Sequence, residues 1–174
     1  MFMDPGTVLA ACNIQSTATV ADFEAGSGFV AQAAAALVPN GQVFAIEVNK
    51  DVVTRITRDA SDRHLTNLHA LWGDVEMPEG SKLAAESADV VLCFNTLFLL
   101  EDKAAVVKEA FRILKKEGKL VVVDWTESFG GIGPRPHHVF PMPVAESLLS
   151  SVGFRKVSDT IPAGDHHYAI LFVK

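Results

Sequence analysis

The acidic residues of this chain recur at one kind of place. Glu24, Glu47, Asp74 and Asp124, together with the amide Asn95, each follow a short apolar run. The most informative stretch is T-V-A-D-F-E-A-G-S-G-F-V at residues 19–30, where an apolar run meets Gly26-Ser27-Gly28 and then a helix-forming segment. Glycines at a helix start let backbone approach a ligand closely and point free N–H groups at it. Glu47 follows about 20 residues later, the distance at which nucleotide-binding folds place the acid that holds ribose hydroxyls. The glycine turn and this acid form a nucleotide-binding layout. Two histidine pairs add candidate bases. His137 and His138 lie in a long Gly-, Pro- and His-rich loop near the ligand edge, where either imidazole can take a proton. His166 and His167 read as a polar strand start, because neighbours on a strand point to opposite faces and do not share one ion. No metal is expected. Cys12 and Cys93 sit in apolar contexts without metal or redox spacing and read as buried thiols.

These residues need an alternating frame to bring them together. Asp4-Pro5 reads as a helix cap and first helical residue, opening a short helix within residues 1–18 with Val8, Leu9 and Cys12 on its inner side. Strands are expected at 19–24, 43–48, 68–72, 89–94 and 119–125, the fourth apolar throughout as in a strand buried on both faces. The alanine-rich helix from Gly28 is expected to bury Phe29, Val30, Ala33 and Leu37, and P-N-G at 39–41 ends it. Asn49 caps a helix reaching about His64, with Val52, Val53 and Ile56 inward. A weak helix is expected at 82–86. The segment 101–116, with Val107, Ala110, Phe111 and Leu114 at helical spacing, is expected to stop at Gly118. A last helix is expected at 144–152, then strands at 155–161 and 168–173 around the turn P-A-G-D. The order predicts one α/β domain over residues 1–174: a doubly wound, mostly parallel, seven-stranded Rossmann-like sheet with an antiparallel C-terminal strand. Ligands are then expected beyond the carboxyl ends of the strands.

Composition narrows the function. A length of 174 residues suits one core burying about 70% of the unfolded surface. The net charge of −6 argues against a nucleic-acid surface, and no apolar run is long enough for a membrane span. The N-terminus lacks the pattern of a signal peptide, so a cytoplasmic protein is expected.

On these residues the chain resembles the class I S-adenosylmethionine-dependent methyltransferases, over residues 20–174. V-A-D-F-E-A-G-S-G is similar to the family's D-x-G-x-G-x-G, with Asp22, Gly26 and Gly28 matching. Glu47 corresponds to the acid on the ribose hydroxyls, and Asp74-Val75 to the acidic–hydrophobic pair beside adenine. F-N-T-L-F-L-L follows strand four, and L-K-K-E-G-K-L-V-V-V-D resembles the family's helix–glycine–strand signature. The resemblance implies S-adenosylmethionine as cofactor, with Asp22, Glu24, Ala25, Gly26, Gly28, Glu47, Val48, Asp74, Val75 and Asn95 around it. W-T-E-S-F-G-G-I-G-P and the short length look most like small-molecule enzymes of the quinone-biosynthesis type. A small, apolar or aromatic methyl acceptor is implied, lined by Phe98 and Trp125, with His138, His137 or Asp124 as base. Only Asp124 stands where catechol-type relatives place their magnesium ligands, and the isolated cysteines argue against arsenite as acceptor.

The departure is Glu24, which stands where the family has its first glycine. Its carboxylate either pairs with the ammonium or sulfonium of the ligand or repels the ligand's carboxylate. The second outcome would leave a non-catalytic binding module. Gly26 to Ala31 also satisfies G-x-G-x-x-A, the dinucleotide fingerprint, but that alignment puts Glu24 inside a buried strand. Asn95-Thr96-Leu97-Phe98 shares its ends with the N-P-P-Y/F motif of amino-group methyltransferases and lacks both prolines. Few residues precede the first strand, so the acceptor site should be open. A bulky acceptor, closure of the loop 127–143, or a second subunit in a homodimer would cover it, and an open site also admits a protein or lipid acceptor.

Overall fold

The computed structural model describes residues 3–157 and 161–174. A seven-stranded sheet carries the order β3-β2-β1-β4-β5-β7-β6, with β1 Thr19–Phe23, β2 Gln42–Glu47, β3 Leu68–Trp72, β4 Ala88–Phe94, β5 Leu114–Trp125, β6 Arg155–Lys156 and β7 His167–Val173. Strands β3 to β5 along that order pair in parallel. Strand β7 runs antiparallel to both β5 and β6. The helices are α1 Pro5–Ala11, α2 Phe29–Leu37, α3 Lys50–Asp62, α4 Lys103–Ile113 and α5 Met142–Val152. The central strands are apolar on both faces because each face is covered. Val20, Val43, Val90 and Val121 pack with α1, α2 and α3, while Ala21, Val91, Leu120 and Val122 pack with α4 and α5. None of the helices is long and apolar enough to cross a membrane, among the described residues.

The caps explain where most helices begin. Asp4 accepts from Thr7 N at 2.9 Å, Asp102 from Ala105 N at 2.9 Å, and Asn49 from Asp51 N at 2.9 Å. Each side chain satisfies an N–H that a helix start leaves free. Asn49→Ala is therefore expected to cost about 1 kcal/mol and lower Tm by about 3 °C, read by thermal melting.

Several expectations are corrected. Residues 82–86 form no helix. Glu79, Lys82 and Glu86 are in left-handed conformations, and Arg112 Nη2 donates to Leu83 O at 2.7 Å. Ser81 N and Oγ both donate to buried Glu109, so tertiary partners replace helical ones. Helix α4 ends at Ile113, because Leu114 turns extended and pairs with Ala88. Gly118 thus lies inside β5, where its carbonyl accepts from Lys174 N at 2.9 Å. Helix α2 buries Ala31, Ala34 and Ala35, and Phe29 points outward at 62% exposure; the small alanines are the face that fits close against the sheet. Val106 and Ile113 join Val107 and Ala110 in the core, while Phe111 is only partly buried. Helix α5 starts at Met142, since Pro143 is tolerated in a first turn. Of the strand expected at 155–161, Arg155–Lys156 form β6 and residues 157 and 161 are not in a strand; positions 158–160 of that expectation lie outside the described residues. Cys12 and Cys93 are buried free thiols, as expected.

Candidate active site

The corner after β1 is built from left-handed turns. Glu24, Gly26 and Gly28 have φ of 54°, 52° and 76°. At Gly26 an added Cβ would meet nothing closer than Glu24 O at 3.9 Å, so this turn is open to a ligand. At Gly28 the same atom would stand 3.1 Å from Ile56 Cγ1, so glycine there lets α2 and α3 approach. Ala25 N donates to Ile46 O at 3.0 Å, tying the turn to β2.

Glu47, 6% exposed, is the hub of this corner. Its Oε2 accepts from Gly26 N at 3.0 Å and its Oε1 from Asn49 N at 2.9 Å. Its carbonyl accepts from Gly73 N at 3.1 Å. One side chain thus fixes two strand-to-helix corners, and each oxygen keeps a lone pair for a ligand hydroxyl. The exposed Val48 beside it accepts from Trp72 Nε1 at 2.9 Å, and Lys50 Nζ lies 4.0 Å above the Trp72 ring. Asp74 is half-buried and accepts from Glu76 N at 3.0 Å, while Val75 is fully buried. Across the corner, Asn95 has φ 55° and a buried Oδ1 that has no hydrogen-bond partner among the described residues. Asp22, 2% exposed, carries a second such oxygen, Oδ2.

Burial raises the Asp22 carboxyl to about 8, against the Ala31 N–H and helped by the Glu47 charge. Glu24 is raised to about 7, first by burial and then by Glu47, Asp74 and Glu76. An open turn ringed by carboxylates suits a cationic ligand that also carries hydroxyls.

The other half of the site lies beyond β4 and β5. Asp124 is fully buried, its Oδ2 accepting from Phe98 N at 3.1 Å and its Oδ1 from Trp125 N at 2.8 Å. Burial lifts it to about 6, while the N–H groups of Trp125, Phe98 and Leu97 and the Lys103 charge hold it lower. In this position Asp124 sets the place of Phe98. His137 and His138 sit exposed on the short 3₁₀ helix Pro136–His138, their rings 4.2 Å apart. With Phe98, Leu99, Lys103 and Phe140 they line a groove of about 490 Å³. Tyr168 Oη donates to Phe140 O at 2.9 Å and anchors its far wall. Trp125 is not among the groove residues. Alternation along β5 puts it on the opposite face from Asp124, with its ring 4.2 Å from buried His167 and in contact with the Gly133 turn.

The structure therefore brings Glu24, Gly26, Glu47 and Asp74 to one corner and Phe98, His137 and His138 to a groove beside it. Lys103, Phe140, Trp72 and Glu76 escape the sequence reading. Trp72 had a local signal, an aromatic residue closing a strand before Gly73-Asp74; the groove residues had none.

The strand order, the left-handed turn after β1 and the acid closing β2 define a class I methyltransferase. Residues 14–139 match the profile of a family described as "Methyltransferase domain". The chain belongs to this family, of the class I, S-adenosylmethionine-dependent kind expected from its motifs. Among solved structures it is similar to an S-adenosylmethionine-dependent methyltransferase from Aquifex aeolicus, with TM-score 0.89 and 22% identity over 99% of this chain and 90% of that one. It is also similar to the YcgJ protein of a Bacillus species, with TM-score 0.77 and 16% identity over 98% and 97%. A third is an arsenic(III) S-adenosylmethionine methyltransferase from Chlamydomonas reinhardtii, with TM-score 0.74 and 20% identity over 99% and 67%.

Proposed function

We propose that the chain methylates a small, apolar or aromatic molecule held in the groove between Phe98 and Phe140. The observation that carries this reading is the groove itself: Phe98, Leu99 and Phe140 give it an apolar wall, beside the charged Glu101 and Lys103 and the two imidazoles. S-adenosylmethionine, when bound, supplies an electrophilic methyl group on a sulfonium. Glu47 would accept its ribose hydroxyls, Asp74 and Val75 would flank its adenine, and Asn95 Oδ1 would accept from its ammonium. The groove residues would hold an acceptor lone pair towards that methyl group, and the bond it gains would replace the carbon–sulfur bond, whose electron pair would stay on sulfur. An acceptor hydroxyl gives its proton to the imidazole of His138 or His137. The Phe98 and Phe140 rings orient the acceptor and exclude water, which is most of the work in such a displacement. Asp124, fully buried and accepting from Phe98 N and Trp125 N, acts as a positioning residue for Phe98.

The test is label transfer from methyl-labelled S-adenosylmethionine to a panel of phenols, quinols and thiols. Phe140→Ala is expected to raise KM for the best acceptor about tenfold, the worth of about 1.4 kcal/mol of lost apolar contact, while donor Kd stays unchanged. Label found only in protein or lipid fractions of a lysate would replace this reading with a macromolecular acceptor.

A further inference from the structure

Family membership does not explain the acidic side chain at the first position of the glycine turn. A non-glycine residue at φ 54° carries a cost of order 1 kcal/mol that glycine would avoid. Charges act on Glu24 from every element around the turn. Glu47 closes β2, Asp74 and Glu76 follow β3, and Cys93 on β4 is itself pushed up partly by Glu24. The cation near the turn, Arg55 of α3, is engaged with Gly26 O at 3.4 Å. Two buried oxygens, Asp22 Oδ2 and Asn95 Oδ1, have no hydrogen-bond partners among the described residues.

S-adenosylmethionine carries a net positive charge, from its sulfonium and ammonium against one carboxylate. Once the methyl group has left, the thioether product S-adenosylhomocysteine is neutral overall. A pocket ringed by carboxylates separates these two ligands by charge alone, although their shapes differ by a single methyl group. We infer that Glu24 is a specificity-determining residue that makes this pocket hold the charged methyl donor more tightly than its uncharged product. This inference rests on the S-adenosylmethionine reading of the site.

Glu24 must be ionised to act, and burial together with its acidic neighbours opposes ionisation in the free protein, so donor binding releases a proton near neutral pH. Product binding, with no sulfonium to favour the ionised form, releases less.

The test is isothermal titration of the full chain with S-adenosylmethionine and S-adenosylhomocysteine, at pH 6 and pH 8, in two buffers of different ionisation enthalpy. Wild type, Glu24→Gln and Glu24→Gly are compared, each first checked for a cooperative melt. At pH 8 the ratio of product Kd to donor Kd is expected to be about tenfold larger in wild type than in Glu24→Gln, as for one partly screened charge pair. The gap narrows at pH 6, and the buffer-dependent heat for the donor is larger in wild type than in Glu24→Gln, where only the remaining acids can release a proton. An unchanged ratio in Glu24→Gln overturns the inference. Binding by Glu24→Gly with none by wild type also overturns it, because Glu24 then blocks the pocket, while the cofactor reading survives. Failure of all three proteins to bind either ligand at millimolar concentration overturns both.

Discussion

Glu47→Ala is expected to weaken S-adenosylmethionine binding by at least about 100-fold and to lower Tm, while the sheet still forms. The carboxylate accepts from Gly26 N and Asn49 N, and hydrogen bonds to a charged acceptor are worth about 1.5–3 kcal/mol each. Alanine removes both at once. Gly26 N then has no acceptor at a left-handed position, so the turn loses the contact that fixes its distance from β2. The ligand loses the group expected on its ribose hydroxyls and also the shape of the turn beneath it, which is why the effect on binding exceeds a single lost contact. Glu47→Gln separates the two contributions. Its amide oxygen can accept from one N–H, but its NH₂ group faces the other donor, so an intermediate loss near tenfold is expected. Calorimetric titration reads the affinities and thermal melting the stability. Binding by Glu47→Ala within threefold of wild type would remove Glu47 from the site.

The parts of the fold that were legible in the sequence are those set by local chemistry. Asn49 caps α3 because its side chain reaches N–H groups two and three residues on, a contact written in adjacent letters. The apolar runs of β1 and β4, and the glycines after β1, are equally local. The early end of α4 was not legible, because it depends on Leu114 pairing with Ala88 across the sheet. Helical spacing cannot report a competing strand partner. The same holds for residues 82–86, where Arg112 and Glu109 supply partners from α4. For the candidate site, the acids at strand ends were readable as positions. Of the groove, Phe98, His137 and His138 were readable but Phe140 was not, since it is brought to Phe98 only when Tyr168 on β7 anchors its carbonyl. The burial of Asp124 beneath two backbone donors was likewise invisible.

The free protein is expected to lose stability as pH rises from 6.5 to 8.5, the reverse of ordinary carboxylate behaviour. Asp22 rises from 3.8 to about 8, Glu24 from 4.5 to about 7 and Asp124 from 3.8 to about 6 on folding. An acid whose pKa is raised in the folded state binds more protons folded than unfolded. Its stabilisation is complete below the unfolded pKa and is lost as pH climbs to the folded one. Asp124 finishes this loss by about pH 6, Glu24 by about 7 and Asp22 by about 8. His167 works in the opposite direction, because burial lowers it from 6.5 and its stabilisation is lost as pH falls. Above pH 6.5 that histidine is silent, and the lowered acids Asp4 and Glu109 are already fully ionised. The window from 6.5 to 8 therefore belongs chiefly to Asp22, the acid raised furthest on folding, with a loss of about 2 kcal/mol at about 1.4 kcal/mol per proton per pH unit. Thermal melts across this window should show Tm falling in wild type. Asp22→Asn, which cannot ionise, should flatten the fall and melt higher than wild type at pH 8. A level or rising wild-type Tm over the same window would mean that Asp22 ionises freely on folding, and that the carboxylate ring is better solvated than its burial implies. Saturating S-adenosylmethionine should reduce the slope, because a cationic ligand favours the ionised ring and offsets the repulsion that makes the free site costly at high pH.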